Sequence, residues 1–141
     1  MARIFLDANV IFSGANQASN LHRFILRLMK GHELISSEYA RQEALRNVLA
    51  KRPQWEEGCQ MIIPRITIVP GTDQVVETCI AEKDRPILAT AITEKCDFLI
   101  TGDKRDFGHL FGQKVGSVLI VTPLVLARML TGNRRVDGND R

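Results

Sequence analysis

Apolar residues follow two rhythms along this chain. The first is a set of short apolar runs closed by polar or turn-forming residues. It predicts strands at Arg3–Leu6, His32–Ser36, Arg65–Val69, Asp97–Thr101 and Ser117–Val121. Unbroken runs of this kind belong to strands buried on both faces, as in a parallel sheet. In the opening stretch, Ile4–Leu6 runs directly into Asp7, and a second apolar run, Val10–Phe12, leads into a polar turn, Ser13–Ser19.

The second rhythm is helical. Leu21, Phe24, Ile25, Leu28 and Met29 fall at i, i+3, i+4, i+7 and i+8, with Ser19 or Asn20 as the cap, Lys30 in the last turn and Gly31 as the stop. Ser37 caps a helix over Glu38–Lys51, whose apolar side is Tyr39, Ala40, Ala44, Val48 and Leu49, and Pro53 closes it. Glu43 lies on the side of Tyr39, Ala40 and Asn47, at the edge of that apolar face. Trp55–Ile63 reads as a short helix burying Met61, Ile62 and Ile63. Thr72–Lys83 is a short helix or an irregular connection. Asp84 caps a helix that carries Pro86 in its first turn and Ile87, Leu88, Ala91 and Ile92 on its apolar side, running to Lys95. Phe107–Phe111 is a turn or short helix with Asp106 as its cap. Thr122-Pro123 opens a last helix, Leu124–Leu130, that Gly132 ends.

Strands alternating with helices mean βαβ units, right-handed crossovers and a parallel sheet, so the fold class is α/β. At 141 residues the chain fits one domain, residues 1–131, followed by a polar and disordered tail, 132–141. Composition is ordinary for a globular protein, at 45% hydrophobic and 25% charged. Of the net charge of +3, the tail residues Arg134, Arg135, Asp137, Asp140 and Arg141 contribute one unit. The body is therefore only mildly basic, which is compatible with a nucleic-acid partner without arguing for one. Cys59, Cys79 and Cys96 are odd in number and widely spaced, which fits free, mostly buried thiols in a reducing compartment. No basic–apolar–small signal opens the chain and no apolar run approaches the roughly 20 residues of a membrane span. The expectation is a soluble, cytoplasmic protein.

The candidate chemistry lies in acids at element ends. Asp7 and Asp103 each follow a buried strand, and parallel strands would bring both to one sheet edge, where ligands of open α/β sheets bind. Asp84 at a helix start and Glu43 within a helix are placed to face that edge. Converging carboxylates raise one another's pKa or recruit a cation, and an all-oxygen set suits Mg²⁺ or Mn²⁺ rather than Zn²⁺. Such an ion activates water at a phosphoryl centre. Each acid also has a plainer reading: Asp7 and Asp84 as helix caps, Asp103 as a turn former, and Glu43 as a surface residue paired with Arg46. His22, His32 and His109 show no ligand spacing and read as surface or core-edge residues. Arg41, Arg46, Lys83, Arg85, Lys104 and Arg105 are the basic residues near the proposed site.

Taken in order, these segments resemble the PIN-domain family of nucleases. Phe5-Leu-Asp7-Ala-Asn9-Val10 resembles its opening strand. Leu34-Ile-Ser-Ser37 followed by Glu43 resembles its strand–Ser–helix segment. Lys83-Asp84-Arg-Pro-Ile-Leu-Ala-Thr-Ala91 resembles its third acidic segment, and Phe98-Leu-Ile-Thr-Gly-Asp103-Lys its fourth. Val121-Thr-Pro123 resembles the close of the bacterial branch of toxin components in toxin–antitoxin pairs. The resemblance covers about residues 3–130.

It implies a three-layer α/β/α sandwich with strand order 3-2-1-4-5 and hydrolysis of RNA. Asp7, Glu43, Asp84 and Asp103 would be catalytic, with Asp7, Asp84 and Asp103 holding Mg²⁺ or Mn²⁺. Asn9 and Thr101 would be supporting groups, and Asp106 an extra acid that could supplement Asp103. The implied partners are an RNA substrate and an antitoxin protein. Ala8 departs from the pattern, because a hydroxyl residue commonly follows the first acid, and its loss removes a hydrogen bond to Asp7. Two other readings stand beside this one. Asp7-x-Asn9 loosely mimics the Asp-x-Asp of haloacid-dehalogenase-like phosphatases, but Asn9 removes their general acid. The same fold could also bind RNA or a protein without cutting. Exposed apolar helix surface around Phe24, Trp55 and Met61 would suit a homodimer.

Overall fold

The computed structural model describes residues 1–72 and 85–131. The expected strands are present as β1 (Arg3–Leu6), β2 (Glu33–Ser37), β3 (Thr67–Val69), β4 (Phe98–Ile100) and β6 (Val118–Val121). A further strand, β5 (Lys114–Val115), precedes the last. They form one sheet in the order β3-β2-β1-β4-β6-β5. The five expected strands are mutually parallel and in the expected order, and Ile4 is in register with Leu34 on one side and Phe98 on the other. The addition is β5, which pairs antiparallel with β6 at the edge. Gly116, at φ 62°, takes the left-handed backbone that such a short hairpin loop uses. A two-residue strand has no apolar run and so leaves no mark in the sequence pattern.

The helices are α1 (Ala8–Gly14), α2 (Asn20–Leu28), α3 (Glu38–Lys51), α4 (Glu56–Ile62), α5 (Arg85–Thr93), α6 (Lys104–Phe107) and α7 (Pro123–Thr131). The chain steps from β1 to β2 to β3 in one direction, then crosses back over β1 to β4. Right-handed crossovers therefore put α1–α4 on one face and α5 on the other, giving helix layers on both sides of the sheet. Central strands are covered twice: Ile4, Phe5, Leu6, Leu99, Ile100 and Ile120 are fully buried. A smaller cluster of Ala15, Val48 and Cys59, with Phe12 and Trp55 against it, joins α1, α3 and α4. No helix among the described residues is long and apolar enough to cross a membrane.

Several local expectations change. The run Val10–Phe12 is helical, because α1 begins immediately after Asp7 with no intervening loop. On α3 the buried row is Ala40, Ala44 and Val48 at i, i+4 and i+8, so Tyr39 and Leu49 fall outside it and are exposed. On α4, Cys59 and Ile62 point inward and Met61 is 45% exposed rather than buried. His22 is buried, with Nδ1 2.7 Å from the Gly14 carbonyl oxygen. Phe24 is also buried and Trp55 packs on Phe12 at 5.2 Å between ring centroids, so of the three residues expected to form an exposed apolar face only Met61 does so. The cap at the start of α6 is Asp103, not Asp106, because that helix begins at Lys104. The Thr72–Lys83 connection beyond Thr72, Cys79, Asp84 and the tail 132–141 lie outside the described residues.

One close approach fixes the α1–α4 contact. A Cβ on Gly58 would lie 1.9 Å from the Ala15 carbonyl oxygen, a backbone atom that cannot swing aside. Gly58→Ala gains helix propensity of up to ~1 kcal/mol, but the backbone clash outweighs it. The net expectation is a loss of about 1–3 kcal/mol, the usual range for overpacking, read as a lower urea midpoint.

Candidate active site

The site grows from the end of β1. The Asp7 backbone N–H donates to the Ile100 carbonyl at 3.1 Å, so the β1–β4 ladder runs up to the acid itself. Asp7 then caps α1, with Oδ1 accepting from the Ala8 N–H at 2.7 Å. Its other oxygen, Oδ2, accepts from the Thr101 hydroxyl at 2.7 Å and from the Asn9 side-chain amide at 3.0 Å. Asp7 is thus both a helix cap and a carboxylate aimed across to β4. The residue is only 5% exposed. Burial pushes its pKa from 3.8 up to about 6, against the pull of the Thr101 and Ala8 hydrogen bonds, and the charges of Glu43 and Asp103 push the same way as burial.

Asn9 and Thr101 tie this acid to the second one. The Asn9 side-chain oxygen accepts from the Gly102 N–H at 2.8 Å, and its amide also donates to the Thr101 hydroxyl oxygen at 3.2 Å. That hydroxyl, fully buried, accepts from the Asp103 N–H at 3.1 Å. Asp103 Oδ1 accepts from the Asp106 N–H at 3.0 Å and so caps α6. The C-terminal ends of β1 and β4 are therefore laced together at the point where the strand order reverses, which is where open α/β sheets bind ligands. The hydroxyl missing at Ala8 does not leave Asp7 short of donors, since Asn9 and Thr101 supply them. Ala8 itself is buried.

Helix α3 closes the other side of a cleft of about 390 Å³. Ser37 caps α3 through its hydroxyl, which accepts from the Ala40 N–H at 3.1 Å. The cleft is lined by Asp7, Asn9, Gly102 and Asp103 from the strand ends, by Phe12 and Ser13 from α1, and by four residues of α3. Those four are Tyr39, Glu43, Asn47 and Lys51, each four residues after the last, a single row along the helix. Glu43 is half-buried and takes part in none of the ion pairs among the described residues, including the one expected with Arg46.

Of the basic residues expected nearby, Arg41 is held by Glu38, and Arg46, Arg85, Lys104 and Arg105 do not line the cleft. Lys83, like Asp84, lies outside the described residues. Lys51 was not singled out by the sequence, although its i+8 spacing from Glu43 is a signal that could have found it. The two thiols among the described residues do not line the cleft, and burial pushes Cys96 up to about 12 and raises Cys59 as well.

Asp7, Glu43 and Asp103 thus share one cleft. Among the described residues, no three acidic, histidine or cysteine side chains are placed to hold one metal ion. The donor chemistry nevertheless fits a hard cation. The lining acids offer carboxylate oxygens only, and Asp7 is buried beside two like charges with no cationic partner among the described ion pairs.

The chain matches the PIN domain family over residues 4–110. Three solved structures share its fold at low identity. VapBC2 from Rickettsia felis, bound to a DNA fragment from its promoter, has a TM-score of 0.62 at 15% identity, over 85% of this chain and 98% of that one. FitAB bound to an IR36 DNA fragment has a TM-score of 0.58 at 22% identity, over 85% and 94%. VapBC-1 from nontypeable Haemophilus influenzae has a TM-score of 0.55 at 14% identity, over 86% and 98%. No curated protein matches the chain in sequence.

The raised Asp7 pKa has a stability consequence of definite sign. Between 3.8 and about 6 the folded protein holds the Asp7 proton while the unfolded chain releases it. Metal-free stability therefore falls as pH rises through that window, by on the order of 3 kcal/mol from this group, and levels off above it. Asp7→Asn cannot titrate, so its stability relative to wild type should rise with pH from 4 to 6 in urea unfolding. A flat difference would show that Asp7 keeps an ordinary pKa.

Proposed function

This chain belongs to the PIN-domain family, and on that premise we propose that it is an Mg²⁺- or Mn²⁺-dependent ribonuclease, the toxin component of a toxin–antitoxin pair. The observation that carries the reading is the cleft at the strand switch point, where Asp7, Glu43 and Asp103 meet and burial makes the Asp7 carboxylate costly to charge without a cation. Asp7, Glu43 and Asp103, with Asp84, would hold the ion. When bound, the ion would supply an activated water and a Lewis acid for the phosphoryl oxygens. The residues of the chain do the positioning. Thr101 and Asn9 fix the Asp7 carboxylate by two donors to one oxygen, leaving Oδ1 engaged, among the described residues, only by the Ala8 N–H. The cap that Asp103 forms on α6 holds its carboxylate through Oδ1.

The toxin assignment draws on the likeness to VapBC and FitAB, whose names describe paired assemblies. An antitoxin protein and a cytoplasmic setting follow from it. We place a homodimer contact on α7, where Leu124 is 60% exposed and Val125, Met129 and Leu130 are exposed with it. A monomer by light scattering at working concentration would remove that contact. The phosphatase reading is weakened by Asn9, whose amide is committed to Asp7, Thr101 and Gly102. The non-cutting module keeps one observation in its favour, the lack of a three-ligand cluster among the described residues.

Cleavage of single-stranded RNA with Mg²⁺ or Mn²⁺ tests the proposal. Glu43→Gln should lose more than the 10–100-fold typical of removing a mere supporting group. It should do so with an unchanged unfolding midpoint, because the Glu43 side chain takes part in none of the described ion pairs or helix caps. Equal cleavage by wild type and Asp7→Asn would refute the assignment. Intact protein that binds no Mn²⁺ by calorimetry would leave the non-cutting module.

A further inference from the structure

The cleft carries three acids, and a nucleic-acid strand brings more negative charge to it. Among the described residues one cation lines it, Lys51, at the far end of the α3 row from Tyr39. Of the neighbouring basic side chains, Arg41 pairs with Glu38, the Arg52 guanidinium lies over the Trp55 ring, 5.5 Å from its centroid, and Arg46 does not line the cleft. Lys51 is exposed and takes part in none of the described ion pairs. Eight residues of helix separate it from Glu43, a rise of about 12 Å. That is too long for an ion pair with Glu43, and a flexible ammonium there can meet a phosphate of the same strand that is not the one being cut. A lysine in the last turn of a helix also favours the helix dipole, but that role does not require its side chain to line the cleft.

We propose that Lys51 is a positioning residue that binds a non-scissile phosphate of the nucleic-acid strand. Together with the acids it sets the direction in which the strand crosses the cleft along α3. The proposal rests on the nuclease reading above and adds a subsite to it. Asn47, between Glu43 and Lys51 on the same row, is neutral, so the charge along the cleft changes sign from its acidic end to its exit.

The test measures binding of a fluorescein-labelled single-stranded oligoribonucleotide in EDTA, where cleavage does not interfere, over a series of salt concentrations. Loss of one phosphate contact on a single strand should lower the slope of log K against log salt by about 0.7. Lys51→Gln should show that drop and weaker binding at low salt, Lys51→Arg should retain the wild-type slope, and Lys30→Gln, on the turn beyond α2, should not change it. With Mg²⁺ present, Lys51→Gln should raise KM and leave kcat near wild type, a split that loss of helix stability alone would not produce. A wild-type slope in Lys51→Gln overturns the proposal. Wild-type protein that neither binds nor cuts the strand overturns the nuclease reading and this subsite with it, whereas cutting by wild type with an unchanged Lys51→Gln slope removes the subsite alone.

Discussion

Three donors on one buried carboxylate hold the working end of this molecule together. Asp7 ends β1, starts α1 and accepts from Thr101 at the end of β4, so a single side chain joins two strands and a helix. A buried carboxylate is costly, and these hydrogen bonds offset only part of that cost, leaving the group with a pKa of about 6. The residual cost is what makes the position suited to a cation: the fold keeps a charge where only an added positive charge would stabilise it fully. Thr101 and Asn9 thus act on the acid directly, as two of its three donors. Removing either would leave Asp7 buried with fewer donors; loss of Asn9 would also free the Gly102 N–H, and loss of Thr101 the Asp103 N–H.

Much of this was legible in the residues. The strands and their parallel pairing followed from the short apolar runs and the alternation with helices, since a strand covered on both faces has no polar alternation to confuse it, whereas the strand order came from the family resemblance. Ser19 and Ser37 marked the starts of α2 and α3, because a hydroxyl accepting from the third backbone N–H is a local interaction that needs no tertiary context. What was hidden depended on the tertiary fold. A seven-residue helix, α1, offers too few turns to separate its apolar period from that of a strand. Tyr39 and Met61 read as core because their type is apolar, and only the packing of Ala40, Ala44, Cys59 and Ile62 decided which row turned inward.

The acids divide in the same way. Asp7 and Asp103 were visible as carboxylates closing buried runs, and the parallel sheet brings strand ends together whatever the rest of the chain does. Glu43 depended on the rotational phase of α3, a quantity the sequence constrains through its buried alanines. That phase also puts Tyr39, Asn47 and Lys51 along the cleft wall, which composition alone, with its slight basic excess, could not indicate. Site and scaffold share one helix: the face of α3 that packs sets the face that works.

The borders of the sheet have a further consequence. At one border stands a two-residue strand, β5, and at the other a three-residue strand, β3, followed by Pro70, which has no N–H to donate. Among the described residues, an incoming extended segment would find few backbone groups to zip against at either rim. Self-templated stacking into fibrils is discouraged for the same reason. Among the described residues, the sheet borders therefore offer a binding segment less than the side chains around them do.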